Sequence, residues 1–155
     1  MLHVQYAVSR TGLPAPASLR QWAHAALSRD ATVTVRFVGA AESARLNGTY
    51  RGKHWPTNVL TFVYDDPDQR AQPLSGDLVL CVPVLKREAR DQGKALRDHC
   101  AHLVVHGMLH LQGHDHELDR EARRMEARET AILAMFGIAD PYAPPGAAGA
   151  RNPQP

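Results

Sequence analysis

The stretch ALRDHCAHLVVHGMLHLQGHDH, residues 95–116, decides how the rest of the chain is read. Residues 95–112 form the longest apolar segment, and apolar side chains fall on nearly every side of a helical wheel. A helix without a polar face has nothing to present to water, so it is expected to lie buried in the middle of a domain. It nevertheless carries His102, His106 and His110, which repeat every four residues. On a helix they form one slightly drifting stripe, with neighbours ~6 Å apart along the axis at ~1.5 Å rise per residue.

That stripe has a chemical reading. Imidazoles at i and i+4 can both reach one metal ion. Gly113 permits a sharp turn after the helix, and the turn can bring His116 back as a third ligand. Three neutral imidazoles leave one tetrahedral position open, which is the mark of a catalytic rather than a structural zinc. The spacing is that of the metzincin proteases, H-E-x-x-H-x-x-G-x-x-H, except that Gly107 stands where their general-base glutamate would be. A lone buried histidine is ordinarily a satisfied core residue, and it is the full spacing with its glycine that points to metal. His102 is open between a fourth ligand and a buried group behind the ligands, and the latter is expected. Asp115 could orient a ligand imidazole through its ring N–H or cap the last helix. His99 is expected in the core or in solvent.

The missing glutamate bears on the reaction. Zinc lowers the pKa of its bound water towards ~7, so hydroxide needs no further base. A peptide bond still needs a proton delivered to its leaving amine. A phosphodiester instead builds charge on phosphoryl oxygens, so its useful helpers are cations. In RNA the ribose 2′-hydroxyl can itself be the nucleophile. The glycine therefore disfavours peptidase chemistry and is compatible with phosphodiester cleavage. A candidate cation lies in YRGKHWPTNVLTF, residues 50–62, where Arg51 and Lys53 flank a glycine. Arginine forks onto phosphate oxygens, although two ordinary charges on a solvated loop are the competing reading. Asn58 suggests local turn chemistry, and Asp77 suggests a cap or a salt bridge to a loop arginine.

The whole chain sets bounds. Its 155 residues suit one domain. A formal net charge of +2 permits a nucleic-acid partner without demanding one. Cys81 and Cys100 are too few for a disulfide framework and are expected as buried thiols. The opening MLHVQYAVSR has no uninterrupted apolar region and no A-x-A site, so no signal peptide is expected. No apolar run approaches the ~20 residues of a membrane span. A reduced, cytoplasmic, soluble protein is the expectation.

Strands are expected over residues 2–8, 32–38, 59–64 and 76–82. Helices are expected from a Ser18 cap to Ser28, over 40–47 with a stop at Asn47-Gly48, from Pro83 to Gln92, over 95–112, and over 117–136 with Met125, Ile132, Leu133 and Phe136 as its core face. Residues 65–75 read as an exposed loop. The Pro/Gly/Ala-rich tail, residues 143–155, reads as disordered and leaves residues 1–142 as the single domain. The fold class is α+β: a small mixed four-stranded sheet packed with about five helices, one of them central, buried and bearing the histidines.

Taken together, HGMLHLQGHDH, RGKHWPTNVLTF, SGDLVL and the DPY at Asp140–Tyr142 closely resemble the bacterial YbeY family of metal-dependent endoribonucleases. The motifs run in that family's order over residues 2–142. The resemblance implies one zinc ion on His106, His110 and His116, with Arg51 beside the metal cleft to bind a phosphate. It implies single-stranded RNA as substrate, maturation of the 3′ end of small-subunit ribosomal RNA, and ribosome quality control. It implies small-subunit ribosomal proteins or an assembly GTPase as partners. This chain departs from the family pattern at His54, where Asp is usual, at His114, where Tyr is common, and at Thr61, where Ser is usual. His54 removes an acidic group near the cleft. Two rival readings remain at this level: a metallopeptidase on the same three histidines, and a non-catalytic assembly factor with structural zinc. The metal is likewise open, because three imidazoles also suit nickel, cobalt or copper.

Overall fold

Helix α4 (Leu96–Leu111) is the centre of the molecule, and ten of its sixteen residues are buried. The expectation of a helix apolar on all sides is thus met by a helix packed on all sides. It contacts α1 (Pro16–Ala26), α3 (Val82–Asp91) and α5 (Asp119–Ala134), and it lies against β3 (Val59–Val63) and β4 (Leu74–Cys81). The remaining elements are β1 (Leu2–Tyr6), β2 (Ala31–Val38) and α2 (Ala40–Arg51). A computed structural model describes residues 1–64, 73–114 and 118–143.

The four strands form one mixed sheet in the order β1-β2-β4-β3. β1, β2 and β4 run parallel, and β3 pairs antiparallel with β4 at the edge. Period-two alternation divides β4 between two cores. Leu78 and Leu80 face the main core beneath α1, α4 and α5, while Val79 and Cys81 join Val38, Leu60 and Val84 on the other side. Burial on both faces explains why this strand reads as a continuous apolar run. The expected α+β class, four strands and five helices are all present. Cys81 and Cys100 are both buried and free, and burial pushes the Cys100 thiol up to about 12. Among the described residues no helix is long and apolar enough to cross a membrane.

Several boundaries differ from the sequence reading for local reasons. Helix α1 starts at Pro16, whose fixed φ suits a first turn, and Ser18 lies inside the helix rather than capping it. The Asn47-Gly48 pair does not stop α2, which continues to Arg51 and ends at left-handed Gly52. Asn47 is buried, and its amide donates to the Trp55 carbonyl at 2.8 Å. A Cβ on Gly48 would stand 2.8 Å from the His54 ring, so the glycine makes room for that ring. Strand β4 begins at Leu74, inside the segment expected as a loop, because residues 74–81 pair in register with β2, while β3 pairs with residues 76–80. Residues 65–72 of that expected loop, and residues 144–155 of the expected tail, lie outside the described residues.

Two glycines set how closely α4 approaches the sheet. A Cβ on Gly76 would meet the Phe62 carbonyl oxygen at 2.5 Å and Leu111 at 2.9 Å, and one on Gly107 would meet Leu78 at 2.7 Å. Position 107, where a zinc protease carries its glutamate, therefore faces the sheet, and any side chain there would have to displace the buried Leu78 side chain. We expect Gly76→Ala and Gly107→Ala each to lower stability by about 1–3 kcal/mol through overpacking. At Gly107 this outweighs the gain of up to ~1 kcal/mol in helix propensity that alanine brings to an open helical site. Urea unfolding checks this, and a stabilised Gly107→Ala variant would show that α4 does not pack as described.

Candidate functional site

His106 and His110 emerge from α4 into a cleft of about 900 Å³ whose opposite wall is built from the end of α2 and from β3. Their rings are 5.4 Å apart between centroids, as the i, i+4 spacing requires. Arg51, the last residue of α2, lines the same cleft. Longer than its expected length, α2 thus delivers Arg51 from a helix end rather than from an irregular loop. Gly113 takes φ 94°, the left-handed turn expected after the helix. His116 and Asp115 lie outside the described residues. A second cavity, about 380 Å³ between β1 and α1, holds neither Arg51 nor any histidine of the stripe.

The segment after Arg51 is tied down by two buried polar residues of α2. Besides the Asn47 bond to Trp55, the Ser43 hydroxyl donates to the Thr57 carbonyl at 3.1 Å and accepts from the Thr57 N–H at 3.0 Å. Asn58 accepts from its neighbour Val59 at 2.6 Å, which is the expected local chemistry. It also donates to the Glu88 carboxylate at 3.2 and 3.3 Å, and Glu88 in turn contacts Nε2 of buried His99 at 2.8 Å. Burial pushes the His99 imidazole down, and Glu88 offsets this only in part. Asp77 does not cap its strand. It accepts from the Tyr64 hydroxyl at 2.6 Å, which pushes the Tyr64 phenol up to about 12.

The residue that sequence reasoning missed is Glu129. It lies on α5, fully buried, and faces the histidine stripe. One carboxylate oxygen takes His102 Nε2 at 2.9 Å and the Tyr142 hydroxyl at 2.6 Å. The other takes His106 Nδ1 at 3.1 Å. The tautomers follow from these partners: the hydrogen sits on Nε2 of His102 and on Nδ1 of His106. Burial by itself would raise this carboxyl, but the hydrogen bonds from His102, His106 and Tyr142 outweigh it and hold the group at about 2. Burial, and then the bond to Glu129, push the Tyr142 phenol up. A signal was present in the sequence. Met125, Glu129, Ile132 and Leu133 follow the apolar stripe of α5, so Glu129 is an acid in a core position. The DPY motif acquires a structural role as well. Asp140 accepts from Thr130 at 3.2 Å and from the Tyr142 N–H at 2.8 Å, which sets the turn that brings Tyr142 onto Glu129.

His102, His106 and Glu129 bring their ligand atoms within 4.8 Å of one another, so this group could hold a metal ion. A carboxylate bonded to a ligand histidine is also the usual support behind a zinc site. Imidazoles beside a cation in an open cleft suit a borderline ion and an anionic substrate.

The family model described as Endoribonuclease YbeY matches residues 15–137. An Endoribonuclease YbeY of Aromatoleum aromaticum is 57% identical over 145 residues, covering 92% of each chain. One of Alkalilimnicola ehrlichii is 54% identical over 149 residues, covering 91% of this chain and 90% of the relative. The solution structure of TM1509 from Thermotoga maritima superposes with a TM-score of 0.54 over 93% of this chain and 100% of that one. At 22% identity it speaks for the fold alone.

Replacing Glu129 by Gln keeps the shape but removes the charge that two imidazoles and a phenol share. We expect Glu129→Gln to lose about 1–3 kcal/mol of stability in metal-free protein. The sign with pH follows from a carboxyl held low in the fold. Its contribution is present above the unfolded value of ~4.3 and is lost as pH falls towards about 2. The variant should lack that window. Unfolding curves identical to wild type from pH 7 down to 3 would remove Glu129 from this role.

Proposed function

The chain belongs to the YbeY endoribonuclease family, and from that premise we propose that it is a metal-dependent hydrolase cutting single-stranded RNA in the maturation of small-subunit ribosomal RNA. The observation that carries the reading is the shared cleft: Arg51 from α2 faces His106 and His110 from α4 across about 900 Å³. We assign His106, His110 and His116 as ligands of one zinc ion and Arg51 as the phosphate-binding cation. The fit is in the donor set, because two imidazoles at i, i+4 open into the cleft and one is braced from behind by a buried carboxylate. When bound, zinc supplies Lewis-acid chemistry, polarising a phosphoryl oxygen and acidifying water.

The rest of the work falls to the chain itself. His106 commits Nδ1 to Glu129, so Nε2 is the nitrogen that serves as ligand. Arg51 presents a planar fork to the non-bridging oxygens of the scissile phosphate, where negative charge grows in the transition state. Ser43 and Asn47 hold the backbone after Arg51 and limit its wandering. Nothing at position 107 can act as a base, since Gly107 faces Leu78. This counts against the peptidase alternative. The proposal extends, on the family resemblance alone, to a cytoplasmic site of action and to ribosomal partners, either small-subunit proteins or an assembly GTPase.

The close group of His102, His106 and Glu129 offers a second ligand set. We favour the bracing role for Glu129, because its oxygens already accept three hydrogen bonds in a fully buried position.

A labelled single-stranded RNA incubated with zinc-loaded protein tests the reading. Cleavage is expected to stop with a chelator and in His110→Ala, and Arg51→Ala should lose about 10²–10³-fold in kcat/KM. A matching duplex should survive. Product ends identify the nucleophile: a 2′,3′-cyclic phosphate means the 2′-hydroxyl, and a 5′-phosphate means water. Cleavage that persists in His110→Ala would mean a contaminating ribonuclease and would sink the assignment. In a zinc competition titration, Glu129→Gln should weaken binding about 10–100-fold while keeping one ion per chain. Complete loss of zinc would make Glu129 a ligand.

A further inference from the structure

Aromatic side chains are scarce here, nine in 155 residues, yet three of them stand exposed within one short stretch. Tyr50 is 65% exposed, Trp55 59% and Tyr64 65%. Tyr50 and Tyr64 line the cleft that holds His106, His110 and Arg51. Trp55 follows on the segment that leads from Arg51 to Thr57 in the cleft wall.

Each of these exposed residues is fixed by a neighbour, through its ring, its hydroxyl or its backbone. Tyr50 packs edge-on against Phe62 with centroids 5.0 Å apart. Tyr64 lies two residues beyond Phe62, on the same side of an extended chain, and its hydroxyl is pinned to Asp77 at 2.6 Å. The Trp55 carbonyl is anchored by Asn47, and Lys53 Nζ sits 5.9 Å from the centre of its ring. Leaving such rings in water forgoes the burial that would otherwise stabilise the fold. A pre-set aromatic face beside a cation is what an unpaired base recognises, because every base has a π-face and each carries a phosphate.

We propose that Tyr50, Trp55 and Tyr64 form a base-stacking surface that seats unpaired nucleotides on either side of the phosphate held by Arg51, with Lys53 contacting the backbone beside Trp55. This rests on the endoribonuclease reading of the cleft. Charge favours RNA over an apolar protein segment. No carboxylate lines the cleft among the described residues, and Asp77, an acid beside Tyr64, is occupied by the tyrosine hydroxyl. The surface would also favour unpaired over duplex RNA, whose bases are already stacked on one another.

The two tryptophans supply the assay. Trp22 is fully buried and Trp55 exposed, so emission that an added ligand can quench belongs to Trp55. The probe is a single-stranded 2′-O-methyl oligonucleotide, which the zinc-loaded enzyme cannot cut through its 2′-hydroxyls, compared with an abasic oligomer of the same backbone. Binding should quench Trp55, and the abasic oligomer should bind at least about 10-fold more weakly. Tyr50→Ala, Trp55→Ala and Tyr64→Ala, read by fluorescence anisotropy of a labelled probe, should each weaken binding about 5- to 100-fold. Tyr64→Phe, which keeps the ring and loses the Asp77 bond, should stay within about threefold of wild type. Lys53→Ala should reduce the salt dependence, which the alanine variants of the aromatics should leave unchanged. Equal binding by the abasic oligomer, or unaltered affinity in the three aromatic variants while wild type still cleaves RNA, would overturn the stacking surface and leave the ribonuclease standing. Failure of wild type to bind the probe while it still cleaves RNA would likewise remove the stacking surface alone, and failure both to bind and to cleave would remove both readings.

Discussion

An imidazole on a buried helix must find a partner for its N–H, or the fold loses roughly 1–3 kcal/mol for each stranded group. Helix α4 is buried along most of its length and carries four histidines, so this constraint shapes everything packed around it. Glu129 answers it for His102 and His106, and Glu88 answers it for His99. Both carboxylates come from neighbouring helices. The placement of α3 and α5 is therefore tied to the polar needs of α4 as well as to its apolar surface.

That arrangement separates the two ends of each ring. The nitrogen of His106 that faces the interior is bonded to a buried carboxylate, and the ring then opens toward the cleft beside His110. The orientation of the His106 ring is set by a carboxylate that is itself held by Tyr142. The close approach of α4 to β4, made possible by Gly76 and Gly107, positions the same stripe relative to β3. Interior packing and site geometry are one problem here. A side chain added at Gly107 would move the histidine on either side of it.

The opposite wall follows a similar logic. Ser43 and Asn47 are polar residues buried on α2, and each bonds the backbone of the segment that follows Arg51, Ser43 through its hydroxyl and Asn47 through its amide N–H. Polar burial here serves to fix a chain path. It leaves Lys53 and Trp55 standing on a braced segment that follows Arg51 out of the cleft wall. The two walls thus come from parts of the chain about 50 residues apart, joined by the pairing of β3 with β4 and the packing of α4 on both.

The buried helix, the histidine stripe, the turn at Gly113, the β-branched strands and the α+β order of elements were legible in the sequence, because each depends on local periodicity or on one residue's backbone preference. The motifs also carried the family resemblance that the comparisons bear out. The end of α2 was misread because Asn47-Gly48 is a stop signal only when its side chains are solvated. Here Asn47 is buried against Trp55, and the His54 ring fills the space over Gly48. Glu129 was a polar interruption in an amphipathic stripe, and nothing local says whether such a residue is misplaced or paired. Only the crossing of α5 over α4 decides that, by bringing residues 23 and 27 positions apart within hydrogen-bond reach. The sequence by itself determined which residues could form elements and which stretches carried the family's motifs. Tertiary structure decided which of them meet, because hydrogen bonds and clefts are made by distances that no local pattern encodes.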